Sequence, residues 1–275
     1  MQDKNFKFVF FGTPDVASKT LEILKESGFL PSLIVTATDK PQGRKMLLTP
    51  PPAKVWAIEN NTEYIQPEKF DEEVIQKLRQ IEATLFIVVA YGKILKEEII
   101  NMPTLGSVNI HYSLLPKYRG ASPVESAILN GDKITGVSIQ QMEYKMDSGP
   151  LIATVKTKIE EAETAPELRK RLIQIGGDLL CQMLPKIINK EISTIPQDED
   201  QATFCKKIKK EDGLVDIEKD KSIEMYNKYR AYKAWPRIFY FKDNKRVIIT
   251  EAVLHDEKFI IKKIIPEGGK EQMVN

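Results

Sequence analysis

The sequence predicts an α/β protein, with a parallel sheet wrapped by helices on both faces and a small β-rich module after it. Short apolar segments alternate with segments of helical spacing through the first half of the chain. One of them, ATLFIVVA at 83–90, is apolar almost throughout, as strands buried on both faces are. The length of 275 residues favours one large and one small domain.

The predicted elements follow from apolar runs, helical spacing and turn residues. An apolar run at 6–11 ends at Gly12-Thr13-Pro14, which predicts a strand and a turn, and the helical spacing of 15–25 predicts a helix after them. The next elements, in order, are a strand at 33–37, helices at 54–59 and 71–81 with a short strand at 63–65 between them, strands at 83–90, 108–112 and 135–142, and a long helix at 165–188. Strand–helix repeats of this kind use right-handed crossovers, and their ligands sit beyond the carboxyl ends of strands.

The domain boundary is predicted where periodicity is lost. Residues 192–201, ISTIPQDEDQ, carry a proline and several acids and show no periodic pattern. Short strands are predicted beyond them at 237–241, 246–250 and 259–264. We therefore predict a first domain over 1–190, a linker over 191–202 and a second domain over 203–275.

Composition excludes several classes of protein. The N-terminus lacks an export signal, and no apolar run approaches the roughly 20 residues that span a bilayer, so we expect a cytoplasmic protein with no membrane partner. The two cysteines are isolated and there are two histidines, so we predict neither a disulfide nor a metal site. Residues 205–275 hold 17 Lys and Arg against 12 Asp and Glu. A solvated surface explains such a surplus in most proteins, but it also fits a polyanionic partner.

Three polar side chains share one face of a predicted strand. Because side chains alternate along a strand, Asn109, His111 and Ser113 point the same way. A core histidine satisfied by hydrogen bonds is the alternative interpretation, but each further buried polar group needs its own partner. Downstream, Asp147 lies in the loop EYKMDSGP, where its carboxylate could favour the protonated form of His111 or simply cap the loop.

Two other enzyme classes fit less well. A serine nucleophile at Ser113 would need His111 within hydrogen-bond reach, but same-face neighbours on a strand are about 7 Å apart. A nicotinamide enzyme would need spaced glycines after the first strand, where only Gly12 stands before Thr13-Pro14.

Several motifs resemble a known family. The stretch NIHYSLLPKYRGASP at 109–123, followed by MDSGP at 146–150, resembles the folate-dependent formyltransferases. The stretches FFGTPDVA at 10–17, DKPQGRKMLLTPPPAKVWA at 39–57, VVAYGKIL at 88–95 and GVSIQQM at 136–142 most closely resemble the members that act on methionyl-tRNA. The resemblance covers nearly all of residues 6–190.

The resemblance implies a fold and a reaction. It implies a Rossmann-like formyltransferase domain and an OB-like C-terminal domain, which ends sooner than in most members and is expected to lack strands. It implies transfer of the formyl group of 10-formyltetrahydrofolate to the α-amine of methionyl-initiator tRNA. Apart from the resemblance, we expect a monomer. Because related formyltransferases share the Asn–His–Asp core, a nucleotide-linked amino sugar or another small amine is the alternative acceptor. A folate-binding protein without turnover is the alternative from another class.

The resemblance also implies residue roles. Asn109 donates its amide N–H to the formyl oxygen, His111 assists oxyanion stabilisation and proton transfer, and Asp147 orients His111 and relays protons through water. Ser113, Leu114, Leu115 and Pro116 form part of the folate pocket with the backbone of Tyr91 and Gly92. The expected RNA contacts are Lys40, Arg44 and Lys45 in the loop at 39–52, and Lys206, Lys207, Lys209 and Lys210 in the basic tail.

The stretch RAYKAWPR at 230–237 adds aromatic residues to the basic tail. Its cations alternate with Tyr232 and Trp235, a composition that suits RNA. We expect Trp235 to lie in the core of the second domain rather than to stack on bases.

Overall fold

The apolar segments form strands, as the sequence predicts. A computed structural model describes residues 6–43 and 45–274. The described strands are β1 (Phe8–Gly12), β2 (Leu33–Val35), β3 (Lys40–Gln42), β4 (Leu47–Thr49), β5 (Tyr64–Ile65), β6 (Leu85–Val89), β7 (Ser107–His111), β8 (Arg119–Gly120), β9 (Ile134–Gln141), β10 (Leu151–Lys158), β11 (Phe204–Cys205), β12 (Ile238–Lys242), β13 (Lys245–His255), β14 (Lys258–Pro266) and β15 (Gln272–Met273).

Helices follow several of these strands, as expected of an α/β chain. They are α1 (Asp15–Glu26), α2 (Pro52–Glu59), α3 (Glu72–Gln80), α4 (Glu97–Ile100), α5 (Pro123–Leu129), α6 (Ala165–Ile188) and α7 (Ser222–Ala231), with 3-10 turns at Glu199–Gln201 and Lys210–Gly213. Helix α3 begins where the Asp71 carboxylate accepts a hydrogen bond from the Val74 N–H, and acids in its first turn favour the helix dipole. Helix α6 has the bounds that periodicity predicts.

The largest sheet has seven strands in the order β10-β9-β7-β6-β1-β2-β5. The pairs β1–β2, β1–β6, β2–β5 and β6–β7 are parallel. Strand β9 differs from the expectation of a parallel sheet, because it pairs with β7 in the antiparallel direction. Strands β1 and β6 are buried along their whole length, which explains their continuous apolar sequences.

The C-terminal sheet is antiparallel, with strands in the order β12-β13-β14-β15. The three strands predicted there are found, and β13 extends beyond its prediction to His255. A break in register near Glu251 separates two stretches of the β13–β14 pairing. An OB-fold has five strands, whereas the described residues form four in this sheet.

Contacts divide the chain into two units. The first comprises Met1–His111, Val137–Val155 and Ile173–Asp200. The second comprises Tyr112–Gly136, Lys156–Leu172 and Gln201–Asn275. In the second unit, β8 and β11 form a short parallel pair, so residues of the 109–123 motif bond directly to the start of the C-terminal part.

Candidate active site

The carboxamide of Asn109 is held on two sides by its neighbours in the sheet. Asn109 pairs with Val88 of β6 and with Gln140 of β9. Its Nδ2 donates to the Val88 carbonyl at 3.0 Å, and its Oδ1 accepts from Gln140 Nε2 at 3.3 Å. Since Nδ2 carries two hydrogens, one N–H is left for another acceptor. The side chain can therefore present a fixed, uncharged donor.

His111 and Asp147 meet, as the sequence predicts. The distance from His111 Nδ1 to Asp147 Oδ2 is 3.7 Å, and the two side chains are 7% and 16% exposed. This separation suits a charge interaction but exceeds the usual hydrogen-bond distance. The carboxylate therefore lies beside one ring nitrogen of the imidazole.

The loop that carries Asp147 folds back toward β9. Asp147 has a left-handed backbone, with φ of 50°, a conformation that Asp tolerates better than most residues. A side chain at Gly149 would overlap the carbonyl oxygen of Gln141, so glycine permits the close approach of the loop to the strand. The Gln141 N–H also donates to the Pro150 carbonyl at 2.9 Å.

Two glutamines complete this cluster, and sequence reasoning missed both. Gln140 is 2% exposed, and its Nε2 also donates to Asp147 Oδ1 at 3.1 Å. Gln197 Nε2 donates to the carbonyls of Asp147 at 2.9 Å and Gly149 at 2.7 Å. Gln197 lies in the segment predicted as a linker, whose Ile195 bonds to Leu151 of β10 in an antiparallel bridge.

The residues predicted to contact folate after β7 lie in a tight turn of the second unit. Ser113 is buried, and its hydroxyl donates to the Lys117 carbonyl at 2.5 Å. The Lys117 N–H donates to the Leu114 carbonyl at 3.0 Å, and the Leu115–Pro116 peptide is cis. Leu115 is buried, while Leu114 and Pro116 remain partly exposed.

Tyr91 and Gly92 follow β6 in the first unit. The Tyr91 ring is 3% exposed and lies 5.5 Å from the Phe11 ring. Burial raises the pKa of its hydroxyl to about 12. The Tyr91 carbonyl accepts a hydrogen bond from Thr13 Oγ1 at 3.1 Å. Gly92 is exposed and has a φ of 79°, with open space where a Cβ would stand. The backbone of Gly92 is therefore accessible where that of Tyr91 is partly engaged.

The loop at 39–52 contains a hairpin that the sequence did not predict. Strands β3 and β4 pair in the antiparallel direction and present exposed Lys40, together with exposed Leu47 and Leu48. Lys45 is also exposed, whereas Arg44 lies outside the described residues. At the base, Lys54 donates to both oxygens of Asp39 at 2.9 and 2.8 Å, and this contact lowers the pKa of Asp39.

The predicted tail lysines are exposed in the second unit. Lys206, Lys207, Lys209 and Lys210 all face solvent. Trp235 is 55% exposed, so the prediction that it lies in the core is wrong. The nearby Trp235–Pro236 peptide is cis.

The described residues form neither a metal-binding cluster nor a membrane-spanning helix. Within 6–43 and 45–274, no group of three or more His, Cys, Asp or Glu side chains is arranged to hold a metal ion. No helix in this part of the chain is long and apolar enough to cross a bilayer.

The fold and this site define the protein as a formyl transferase. The family model for formyl transferase matches residues 5–184, and the model for the formyl transferase C-terminal domain matches 207–271. The chain is 38% identical over 246 residues to the methionyl-tRNA formyltransferase of Caldicellulosiruptor saccharolyticus, covering 88% of this chain and 78% of that protein. It is 39% identical over 268 residues to the one from a Thermotoga species, covering 96% of this chain and 85% of that protein. The chain belongs to the methionyl-tRNA formyltransferase family.

Solved structures share the fold at lower identity. An N-formyltransferase from Helicobacter canadensis, solved with folinic acid and dTDP-3-aminofucose, superposes with a TM-score of 0.69 at 21% identity, covering 92% of this chain and 89% of that one. The methionyl-tRNA formyltransferase from Clostridium thermocellum superposes with a TM-score of 0.62 at 17% identity, covering 98% and 99%. Likeness at this identity establishes the fold and does not select the acceptor.

Proposed function

We infer that this chain transfers the formyl group of 10-formyltetrahydrofolate to the α-amino group of methionyl-initiator tRNA. The observation that carries this inference is a cluster in which Asp147 lies 3.7 Å from His111 and shares the Gln140 amide with Asn109. The relatives of this chain at 38–39% identity are methionyl-tRNA formyltransferases. The three side chains offer a neutral donor, a proton acceptor and a carboxylate. Formyl transfer to an amine needs these groups, because charge develops on the carbonyl oxygen and a proton must leave the attacking nitrogen.

We assign roles in the reaction to these three residues. Asn109 uses the N–H beyond its bond to Val88 to stabilise the developing oxyanion. His111 takes the proton of the attacking amine, since imidazole exchanges protons near neutral pH. Asp147, at 3.7 Å, stabilises the resulting imidazolium and orients its ring. As the amine nitrogen bonds to the formyl carbon, the bond from that carbon to N10 of the folate breaks. Asp147 relays the proton through water to N10, and tetrahydrofolate leaves.

We propose two sets of folate contacts, one in the turn after β7 and one in the chain after β6. The turn supplies the partly exposed apolar surface of Leu114 and Pro116, and the bond from Ser113 to Lys117 keeps the turn closed. The deeply buried Leu115 supports this turn from within. After β6, Gly92 supplies accessible backbone donors and acceptors of the kind that pair with a pterin edge.

We propose that two exposed cationic regions bind tRNA. The first is the β3–β4 hairpin, with Lys40 and Lys45 and, by its place in the sequence, Arg44. The second is the set of tail lysines at 206, 207, 209 and 210. Lysine and arginine contacts to phosphates position an RNA and make its affinity depend on salt. We also predict that the protein is a cytoplasmic monomer. Light scattering of the purified protein, with and without tRNA, measures its oligomeric state.

A nucleotide-linked amino sugar is the second candidate acceptor. The N-formyltransferase from Helicobacter canadensis, solved with dTDP-3-aminofucose, shares this fold, so the fold alone permits either acceptor. The deciding experiment offers 10-formyltetrahydrofolate with methionyl-tRNA, an amino-sugar nucleotide and glycinamide ribonucleotide in parallel reactions. We expect the formyl group on methionyl-tRNA. Transfer to the sugar nucleotide alone would replace our proposal, and folate binding without transfer to any amine would identify a binding protein instead.

A further inference from the structure

We propose that Gln140 is a positioning residue that holds Asn109 and Asp147 in their working orientations, and that Gln197 fixes the loop that carries Asp147. This inference rests on the proposed function, because it concerns the residues assigned to formyl transfer. It adds two residues to the three that carry the assigned roles. It also gives a role to the segment predicted as a linker.

Both donors of the Gln140 amide are used. Its Nε2 donates to Asn109 Oδ1 at 3.3 Å and to Asp147 Oδ1 at 3.1 Å. Its Oε1 lies 3.4 Å from Gln197 Nε2, whose two hydrogens serve the closer carbonyls of Asp147 and Gly149. An amide nitrogen has two hydrogens, so each donor serves one of the proposed catalytic side chains. With 2% of its surface exposed, Gln140 has little competition from water for these contacts.

The contact to Asn109 determines which way its amide points. In the observed orientation, Oδ1 faces the Gln140 donor and Nδ2 faces the Val88 carbonyl at 3.0 Å. Reversing the Asn109 amide would place two donors opposite each other on one side and two oxygens on the other. Buried polar groups left without partners in this way are costly. Gln140 therefore keeps the remaining Asn109 N–H aimed in one direction.

Gln197 holds the backbone on either side of Ser148. It donates to the carbonyls of Asp147 and Gly149 at 2.9 and 2.7 Å, in a loop where Asp147 has a left-handed backbone. Since a left-handed conformation is sparsely populated for residues other than glycine, these bonds help the loop to keep it. Gln140 and Gln197 together hold the Asp147 side chain from one direction and its backbone from another.

The first test replaces Gln140 by methionine, which keeps its length and apolar volume but removes both donors. We expect kcat for methionyl-tRNA formylation to fall about 10- to 100-fold, because a misplaced catalytic group costs this much. We expect KM for the folate to change by less than about threefold, since Gln140 is not assigned to the folate pocket. The matched control is Gln174→Met on α6, an exposed position at which we expect wild-type kcat.

A second variant reverses the polarity of the same side chain. Gln140→Glu keeps the shape but presents oxygens to Asn109 Oδ1 and to the Asp147 carboxylate. If Gln140 acts through its donors, this variant is slower than Gln140→Met. If Gln140 only fills space, both variants keep wild-type kcat or lose it in step with their unfolding midpoints, and the proposal fails.

Double variants separate this inference from the proposed function. We expect the fold-reduction in kcat caused by Gln140→Met to be at least several-fold smaller in an Asn109→Ala background than in the wild type. The reason is that part of the effect of Gln140 passes through Asn109. If the reductions in kcat caused by the two substitutions simply multiply in the double variant, Gln140 does not act through Asn109, and the positioning role is overturned. The assignment of Asn109 would remain intact. Wild-type activity of Asn109→Ala itself would instead refute the proposed function.

Gln197→Met provides a test at a less buried position. It removes the donors to the 147–149 loop from a residue that is only partly buried. We expect kcat to fall at least threefold with an unfolding midpoint close to that of the wild type. An unchanged kcat would overturn the role of Gln197. If Gln140→Met proves too unstable to assay, the result for Gln197→Met decides the proposal.

Discussion

Replacing Asn109 by alanine removes the donor that we assign to the oxyanion while leaving the strand intact. The variant lacks the bond from Nδ2 to the Val88 carbonyl at 3.0 Å and the partner of Gln140 Nε2 at 3.3 Å. It also lacks the remaining N–H. The structural and the catalytic consequences of the substitution have different magnitudes, so they can be separated.

The structural cost is the smaller of the two. Leaving the Val88 carbonyl without its partner costs about 1–3 kcal/mol of unfolding free energy. Asn109 is only partly buried, and Gln140 keeps its bond to Asp147. Removing one oxyanion donor costs about 2.7–4 kcal/mol of transition-state stabilisation, which is a fall in kcat of about 10²–10³. We therefore expect a folded protein with greatly reduced turnover.

The assay follows formylation of methionyl-tRNA and denaturant unfolding on the same preparations. Asn189→Ala, an exposed position at the end of α6, is the matched control and is expected to keep wild-type turnover. If Asn109→Ala formylates within about threefold of the wild type, its carboxamide does not stabilise the oxyanion. If turnover falls only in proportion to the unfolded fraction, the effect is one of stability.

Three further predictions follow from other parts of the structure. Tyr91→Phe removes a buried hydroxyl that has no hydrogen-bond partner among the described residues. We therefore expect the unfolding free energy to be unchanged or to rise by about 1 kcal/mol. A clearly lower unfolding free energy, measured by denaturant titration, would contradict this. Burial raises the pKa of Tyr91 to about 12 in the folded protein, from about 10 in the unfolded chain. The stability that depends on the neutral hydroxyl is therefore present below pH 10 and declines as pH rises toward 12. Unfolding experiments on Tyr91→Phe should show a smaller decline over this range. Gly149→Ala forces a Cβ into the Gln141 carbonyl oxygen, so we expect lower turnover and an unfolding free energy about 1–3 kcal/mol lower. The control is Gly268→Ala, at a position with open space but a left-handed backbone, where we expect stability alone to change. Replacing the tail lysines 206, 207, 209 and 210 by alanine should weaken tRNA binding and flatten its dependence on salt, by about 0.7–0.9 in log–log slope for each phosphate that is no longer neutralised; an unchanged slope would remove the tail from the interface.

Local pattern predicts much of this fold because the relevant forces act over short stretches of chain. The continuous apolar runs of β1 and β6 predict buried strands, and the periodicity of 165–188 predicts α6. Alternation along β7 places Asn109 and His111 on one face, and the loop after β9 is the expected origin of Asp147. These features depend on residues within one element or one turn of it.

What the sequence does not predict depends on pairing between distant segments. The antiparallel direction of β9 is set by the path of residues 112–133, which no periodic pattern reveals. The β3–β4 hairpin is hidden among glycines and prolines that are more typical of a loop. Gln140 could have been suspected from its place on a strand that borders β7, but Gln197 lies 57 residues further on and gives no local signal.

We infer that His111, within a cluster with Asn109 and Asp147, accepts the proton released when methionyl-tRNA is formylated. Single-turnover formation of N-formylmethionyl-tRNA by the wild type and by His111→Ala measures this role. We expect product from the wild type and a rate at least about 10²-fold lower for the variant, with its unfolding midpoint little changed. Absence of product from the wild type, or equal rates for the two proteins, would contradict it.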